Sequence, residues 1–366
     1  MPATKHRARF HELTVADIRA LTAASVEVTF AVPDELQGEY DYLPGQHVAL
    51  RARVGGRELR RSYSICRPPA PGSLSVAIKR DLGGMFSTWA NDELRVGDRI
   101  DVMSPQGTFT TDLDDLDGRH IVGIAAGSGI TPLMSLAHTV LARSASSQFT
   151  IVYTNRTTVD VMFLEELSDL KDRYPARLEL HHVLSREQRS APLLSGRIDE
   201  QRLRRMLDTI IPAATVDEWF LCGPFELVQL CRDTLESVGV DRSHIRFELF
   251  TTGDPGEVAG DVGRPVVVRE GEKTFEIRFT LDGQTQTVTT PVDANESVLN
   301  AALRVRPDVP FACTGGVCGT CRARLVSGDV RMTENYALEP EELERGYVLT
   351  CQSHPLTETV AVDYDV

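Results

Sequence analysis

Cys313, Cys318 and Cys321 stand in a C-x4-C-x2-C run, and Cys351 follows alone much later in the chain. This is the spacing that holds a 2Fe-2S centre. It constrains the fold sharply, because three thiolates must come from one tight loop and the fourth from a segment brought beside it. Thr314, Gly315, Gly316 and Val317 separate the first two ligands, and glycine there lets the backbone bend around a cluster and turn its amides toward sulfur. A zinc site shares the C-x2-C element but usually pairs two such knuckles or adds histidines, whereas this run is flanked by glycine and followed by a lone cysteine. A chain with such a cluster moves single electrons, so the residues upstream must supply their source.

The chain has 366 residues, too many for one ordinary core, which predicts two to three domains. With 53 acidic against 39 basic side chains the net charge is -14. That argues against nucleic acid as a standing partner, because phosphate binding needs a basic face. Met1 to Phe10 is polar and carries Lys5, Arg7 and Arg9 with no apolar run behind it, unlike a secretory signal. Ile121 to Leu141 is the most apolar stretch, yet Gly123, Gly127, Gly129, Pro132 and His138 interrupt it. It reads as a strand, a glycine turn and a helix rather than a membrane span. Seven cysteines, four of them grouped as ligands, suit a reducing cytoplasm.

Short alternating segments fill the first part of the chain: Ser25 to Val32, His47 to Ala52, Leu74 to Lys79 and Arg99 to Met103. Turn residues separate them, and the pattern predicts an antiparallel β-barrel or sandwich over residues 1–112. From His120 the period changes. Apolar runs at Ile121 to Ala125, Phe149 to Thr154, Leu178 to Leu184 and Trp219 to Cys222 alternate with helical patterns at Pro132 to Ala142, Phe163 to Arg173 and Phe225 to Val238. Strand and helix in alternation predict an α/β doubly wound parallel sheet over residues 113–250. Thr251 to Pro265, rich in Gly, Asp and Pro, reads as a linker over residues 251–265. Residues 266–366 then hold a hairpin (Phe275 to Phe279 with Gln286 to Thr290), a short helix (Ser297 to Leu303) and the cysteine loop.

Arg61-Ser62-Tyr63-Ser64 offers what a flavin site needs: an aromatic ring to stack on the isoalloxazine, hydroxyls near its polar edge and an arginine for a phosphate. Lys79, which closes a later strand, joins this set. Gly83-Gly84-Met85-Phe86-Ser87-Thr88 leads into a helix whose first amides, with the Ser87 or Thr88 hydroxyl, suit a pyrophosphate. Gly127-Ser128-Gly129-Ile130-Thr131-Pro132 follows an apolar strand and opens a helix, the setting of a nucleotide-phosphate turn, with Pro132 expected at a first helical position. Cys222-Gly223-Pro224 sets a second glycine turn on the same carboxyl edge. Arg156, and Arg186 beside Ser185, also follow strands there, and either suits the 2'-phosphate that separates NADPH from NADH.

The order R-x-Y-S, G-G-x-F-S, G-x-G-x-x-P, C-G-P, F-E-x-F and C-x4-C-x2-C covers nearly the whole chain and resembles the ferredoxin-NADP reductase-type flavoproteins that carry a C-terminal plant-type ferredoxin domain. The resemblance implies FAD on the barrel, NADPH on the parallel sheet and a 2Fe-2S cluster in an α+β domain of the β-grasp type. It further implies that Arg61, Tyr63, Ser64 and Ser87 hold FAD, and that Gly127, Thr131, Cys222 and Gly223 bind the nucleotide, with Ser62, Ser128 and Gly129 expected in the same cofactor-binding motifs. In Phe247-Glu248-Leu249-Phe250, Glu248 is expected to relay a proton and Phe250 to cover the flavin ring. Tyr63, Ser64, Cys222 and Glu248 are thereby the expected catalytic set.

Arg61 to Arg67, Pro105 to Phe109, Gly315 to Cys318, Glu334 to Pro340 and Gly346 to Gln352 are similar in wording to the reductase components of phenylacetyl-CoA epoxidases, multicomponent bacterial monooxygenases. That likeness implies the oxygenase subunits of a di-iron epoxidase as partner; cysteine usage, the acidic balance and the interrupted apolar stretch add the expectation of the cytoplasm, with no nucleic acid and no membrane. The reductase of a Rieske-type ring or steroid hydroxylase uses the same modules and is the nearest alternative, and a redox-sensing binding protein is a third.

Overall fold

The computed structural model describes residues 9–251, 266–269, 271–306, 309–311, 313–338 and 340–365. Two compact units are present, one over Phe10–Thr251 and the other holding the described residues from 266 onward. Apart from Thr251, which ends a strand, the expected linker to Pro265 lies outside the described residues.

Six strands open the first unit: β1 (Phe10–Thr22), β2 (Ser25–Ala31), β3 (His47–Val54), β4 (Arg57–Ser64), β5 (Ser73–Lys79) and, after helix α1 (Met85–Asp92), β6 (Arg99–Met103). Every pairing is antiparallel, in the order β4-β3-β6-β1-β2-β5. Just past β4, Ile65 bridges to Val76 of β5, so the two outer strands meet and the sheet closes into a barrel. Val28 and Phe30, Val48 and Leu50, and Val76 and Ile78 line its core, each pair two residues apart as the pleat requires. β1 escaped the sequence reading because it fully buries only Leu13 and Val15 along thirteen residues, too little alternation to stand out.

A parallel sheet follows, built from β7 (His120–Ala126), α2 (Ile130–Arg143), β8 (Gln148–Asn155), α3 (Leu164–Arg173), β9 (Leu178–Leu184), α4 (Glu200–Thr209), β10 (Glu218–Pro224), α5 (Phe225–Ser237) and β11 (Ile245–Thr251). Its order is β11-β10-β7-β8-β9, with parallel pairing throughout. Strands covered on both faces must be apolar along their length, and Ile121 to Ala125 and Trp219 to Cys222 meet that demand. The chain runs outward from β7 to β9, then returns to the other side of β7 for β10. The crevice at this reversal, outside the carboxyl ends of β7 and β10, is where such sheets bind ligands. Phe163, expected inside a helix, instead precedes α3 with a left-handed φ of 59°.

The second unit contains β12 (Thr274–Leu281), β13 (Gln284–Pro291), α6 (Val298–Val305), β14 (Arg322–Ser327), β15 (Val330–Met332), α7 (Pro340–Glu344), β16 (Tyr347–Leu349), β17 (Ser353–Pro355) and β18 (Thr359–Asp363). Five strands form a mixed sheet, β13-β12-β18-β14-β16, in which β12 and β18 run parallel; β15 and β17 pair separately. Val298, Leu299, Ala301 and Ala302 of α6 pack with Ile277, Phe279, Val360 and Val362 in one core, giving the α+β layering. The Ser297 hydroxyl caps α6 by accepting from the Asn300 amide at 3.2 Å. No helix among the described residues is long and apolar enough to cross a membrane.

Candidate functional site

Ser64 ends β4 and faces His47 across the β3–β4 ladder. Cross-strand partners project to the same side of a sheet, and both side chains reach Glu248 of β11. Ser64 Oγ donates to one carboxylate oxygen at 2.8 Å, and His47 Nδ1 lies 3.5 Å from the other. Glu248 in turn stands in register with Cys222 of β10. Burial, and then the Glu248 charge, pushes the Cys222 thiol well above its ordinary pKa, so it sits there as a small neutral group. The expected catalytic residues Ser64, Glu248 and Cys222 thus meet, joined by His47. His47 has no local motif to announce it; its signal is the register of β3 with β4.

Tyr63 leans over Phe86 of α1, with ring centroids 5.8 Å apart, and Phe86 meets Trp89 edge-on at 5.5 Å. Burial first, and the Asp81 charge after it, raises the Tyr63 phenol above its usual pKa, which keeps the hydroxyl protonated. Ser62 Oγ is buried and has no partner among the described residues. An unpaired buried hydroxyl costs roughly 1–3 kcal/mol, so a polar ligand atom fits against it. Arg61 is half-buried and donates from Nη1 to the Arg60 carbonyl at 2.7 Å.

The loop before α1 turns at Gly83, with φ of 76°. Ser87 Oγ ties that loop together: it accepts from the Asp81 amide at 3.0 Å and donates to the Gly84 carbonyl at 3.3 Å. Phe86 is buried, whereas Met85 is exposed. Lys79 extends toward the parallel sheet, its Nζ only 3.2 Å from where a Cβ on Gly127 would sit. Burial lowers the Lys79 pKa, with Asp160 opposing and Arg156 assisting.

Gly127 to Gly129 form a 3-10 turn between β7 and α2. A Cβ on Gly129 would lie 2.1 Å from the Cys222 carbonyl oxygen, so the two glycine turns abut at the strand-order reversal and only glycine fits. Pro132 proves to be the third residue of α2 rather than the first. Its missing amide is tolerated there because first-turn amides have no helical partner, and the Ser128 carbonyl accepts from Thr131 Oγ1 at 3.0 Å. The turn through Gly223 and Pro224 leads directly into α5. Phe250 packs against the parallel-sheet core.

Arg156 and Arg186, weighed in the sequence as alternatives, are neighbours. The Arg186 amide donates to the Arg156 carbonyl at 2.8 Å, and the Ser185 amide to the Asn155 carbonyl at 2.9 Å. Both arginine side chains are exposed. Glu187, which the sequence reading passed over, accepts from the amide and hydroxyl of Thr158, each at 2.7 Å, and so joins the two loops.

In the second unit the cysteine loop bends through left-handed residues Thr314, Gly316 and Gly319. Gln352 Nε2 donates to the Thr314 carbonyl at 2.7 Å, the Tyr336 amide to the Gly316 carbonyl at 3.0 Å, and Thr350 Oγ1 to the Cys321 carbonyl at 2.8 Å. The Cys318 amide points at Cys313 Sγ from 3.4 Å. A hydrogen bond with Cys318, then burial, then the charges of Cys318 and Cys321 raise the Cys313 pKa; a hydrogen bond with Cys321, burial and the charges of the other three thiols do the same for Cys351. Cys313 and Cys351, whose ionisation the neighbouring thiols oppose, suit a cationic centre that takes them as thiolates. Thr320 Oγ1, buried without a partner among the described residues, adds a donor beside Cys321. No three or more His, Cys, Asp or Glu side chains among the described residues gather around a single ion, and a two-iron cluster asks only two thiolates of each iron.

Three family descriptions match in order: an oxidoreductase FAD-binding domain at residues 12–111, an oxidoreductase NAD-binding domain at 124–233 and a 2Fe-2S iron-sulfur cluster binding domain at 279–356. The chain is 44% identical to one of the subunits of the 1,2-phenylacetyl-CoA epoxidase of Escherichia coli K12, over 97% of this chain and 98% of that one. It is 34% identical to the 3-ketosteroid-9-alpha-monooxygenase ferredoxin reductase component of Mycobacterium tuberculosis, over 97% and 96%. Phthalate dioxygenase reductase shares the fold with a TM-score of 0.58 and 22% identity, over 97% of this chain and 98% of its own. The barrel, the parallel sheet with its paired glycine turns and the four-cysteine loop therefore make this chain a member of the oxygenase-reductase flavoproteins, electron-transfer oxidoreductases that join an FAD-binding, a nicotinamide-nucleotide-binding and a 2Fe-2S domain.

Proposed function

We propose that this reductase takes its electrons from NADPH and delivers them, in the cytoplasm, to the di-iron oxygenase subunits of a phenylacetyl-CoA epoxidase. The 44% identity, along almost the whole chain, to a component of such an enzyme carries the choice of partner. NADPH rather than NADH is supported by Arg156 and Arg186, two exposed arginines on backbone-bonded loops at the carboxyl edge after β8 and β9, a residue type suited to a 2'-phosphate. The domain limits we assign are 1–112 for FAD, 113–250 for the nucleotide, 251–265 as linker and 266–366 for the cluster.

When bound, FAD converts the nicotinamide's electron pair into the single electrons that a 2Fe-2S cluster accepts. The chain's own residues do the rest. Tyr63 offers its ring, Ser62 and Ser64 their hydroxyls, and Arg61 and Lys79 their charge, while the Gly83 to Ser87 loop supplies amides. Gly127, Gly129 and Gly223 admit the nucleotide where a side chain would block it, Ser128, Thr131, Pro132 and Pro224 complete the two turns around it, and Phe250 backs them from the parallel-sheet core. Ser64 Oγ and Glu248 hold a proton between them, with His47 Nδ1 at the second carboxylate oxygen. Neutral Cys222 presents a small uncharged surface to the nicotinamide. Cys313, Cys318, Cys321 and Cys351 ligate the cluster.

A second reading, supply to a steroid monooxygenase, is supported by the 34% identity to a 3-ketosteroid-9-alpha-monooxygenase reductase. Reconstitution separates them. Purified reductase with NADPH should drive product formation by phenylacetyl-CoA epoxidase oxygenase subunits and not by a steroid oxygenase, and the opposite pattern would sink the epoxidase assignment.

A further inference from the structure

Arg67 lies just past β4 and commits its whole guanidinium to two carboxylates. Nε and Nη2 donate to the two oxygens of Glu27 on β2, the second at 2.7 Å, and Nη1 and Nη2 donate to those of Glu166 in the first turn of α3 at 2.8 and 3.1 Å. Arg19 of β1 doubles the bridge, bonding Glu27 at 2.6 Å and also bonding Glu166. The Phe163 ring lies under Arg67 at 5.7 Å. Phe163 holds the left-handed backbone already noted, a conformation that a bulky side chain keeps only where its surroundings over-determine it.

Desolvation largely offsets attraction in a buried ion network, so such a network is weak evidence of stability, but a guanidinium fork holding two carboxylates fixes geometry tightly. Here the geometry joins two layers. Arg19, Glu27 and Arg67 belong to the barrel whose strand β4 carries Tyr63 and Ser64; Glu166 belongs to the parallel sheet's helices. The Arg67 carbonyl also accepts from Ser135 Oγ at 2.6 Å, and Ser135 lies on α2, the helix opened by the Gly127 to Pro132 turn. One residue is thus tied through the backbone to Ser64 and through a hydrogen bond to the helix behind the glycine turn.

We propose that Arg67, with Glu166, is a positioning residue for hydride transfer: it sets the separation between the Tyr63–Ser64 strand and the Gly127 to Pro132 turn, and so the distance from nicotinamide to flavin. The proposal rests on the reading of those two segments as flavin and nucleotide sites. A misplacement near 1 Å is enough to slow such a step about a hundredfold.

The test uses the full-length holoenzyme and stopped-flow bleaching of its flavin by NADPH. Arg67→Lys keeps the charge and loses the fork; it should slow bleaching at saturating nucleotide by about ten- to a hundredfold, with flavin content unchanged and half-saturation within about twofold. Glu166→Gln, the milder variant should Arg67→Lys fail to fold, should move the rate the same way. Hydrogen–deuterium exchange should quicken at residues 163–168, and buried Cys66, whose Sγ lies 3.6 Å from Glu27, should become open to alkylation. A purely structural role would show in exchange and melting temperature and leave the saturated rate alone. An unchanged saturated rate in both variants, or flavin loss as their main effect, would overturn the proposal. If the unaltered protein were not bleached by NADPH at all, the site reading beneath it would fall, and the proposal with it.

Discussion

Ser64 and Glu248 lie 184 residues apart in the first unit's sequence and meet at 2.8 Å because two different sheets carry them there. Cys313, Cys318 and Cys321 sit within one short loop that has almost no regular structure, and side chains such as Gln352 and Thr350 hold it in place. The first site is assembled by topology and the second by local sequence. Sites on strands and helices are positioned by many residues at once. A loop-held cluster site, by contrast, depends on its ligands and on the metal centre that closes it. Damage should therefore be total and confined at the cysteine loop, and graded but farther-reaching at the crevice.

The largest effect we expect comes from Cys351→Ser. One of four thiolates is lost from a site whose partners come from a single loop, so the visible and electron-paramagnetic signals of the cluster should disappear and cytochrome reduction should be abolished. NADPH-driven reduction of a dye that accepts electrons directly from flavin should stay within about twofold, since no residue of the first unit is altered. Undiminished cytochrome reduction without a cluster would break the division of labour between the two units.

That contrast also decides what the sequence could disclose. The cysteine spacing names its own chemistry, and the glycine turns could be placed because an apolar strand precedes each and a helix follows. His47 could not be found this way; what matters is its partner across the ladder, and register is a long-range property. Glu187 and the Arg19–Glu27–Arg67–Glu166 network were equally hidden, because each draws its members from different elements. Ser62 illustrates a middle case: the motif pointed to it, but its unpaired hydroxyl needed the folded barrel to be seen. Pro132 and Phe163 show local rules shifting by a residue or two, as helix ends commonly do.

An intermediate effect should follow Gly129→Ala. The new methyl would need space 2.1 Å from the Cys222 carbonyl oxygen, and since both atoms are fixed by backbone, one glycine turn must move away from the other. Flavin bleaching by NADPH should slow by about a hundredfold, while the spectrum of the cluster stays unchanged. A normal rate would mean that the abutment of the turns is packing only, and that the crevice is less exacting than its assembly from strand ends implies.

The smallest effect is a shift in acid sensitivity confined to the first unit. Glu27 is 4% exposed, and burial alone would raise its pKa; hydrogen bonds and charge from Arg67, then Arg19, outweigh this and hold the carboxyl below the ordinary glutamate value. A group whose folded pKa is depressed contributes stability that is complete above its unfolded pKa and is lost as pH falls toward the folded one. Between about pH 5 and pH 3 the melting transition followed through flavin fluorescence should therefore drop, and drop less steeply in Arg67→Lys, where the depression is weaker to begin with. The transition followed through cluster absorbance should be the same in both proteins, because Glu27 and its partners all lie in the first unit. Equal acid slopes for the flavin signal would show that the network does not hold Glu27 ionised, and would leave the brace between barrel and parallel sheet resting on the geometry of Arg67 alone.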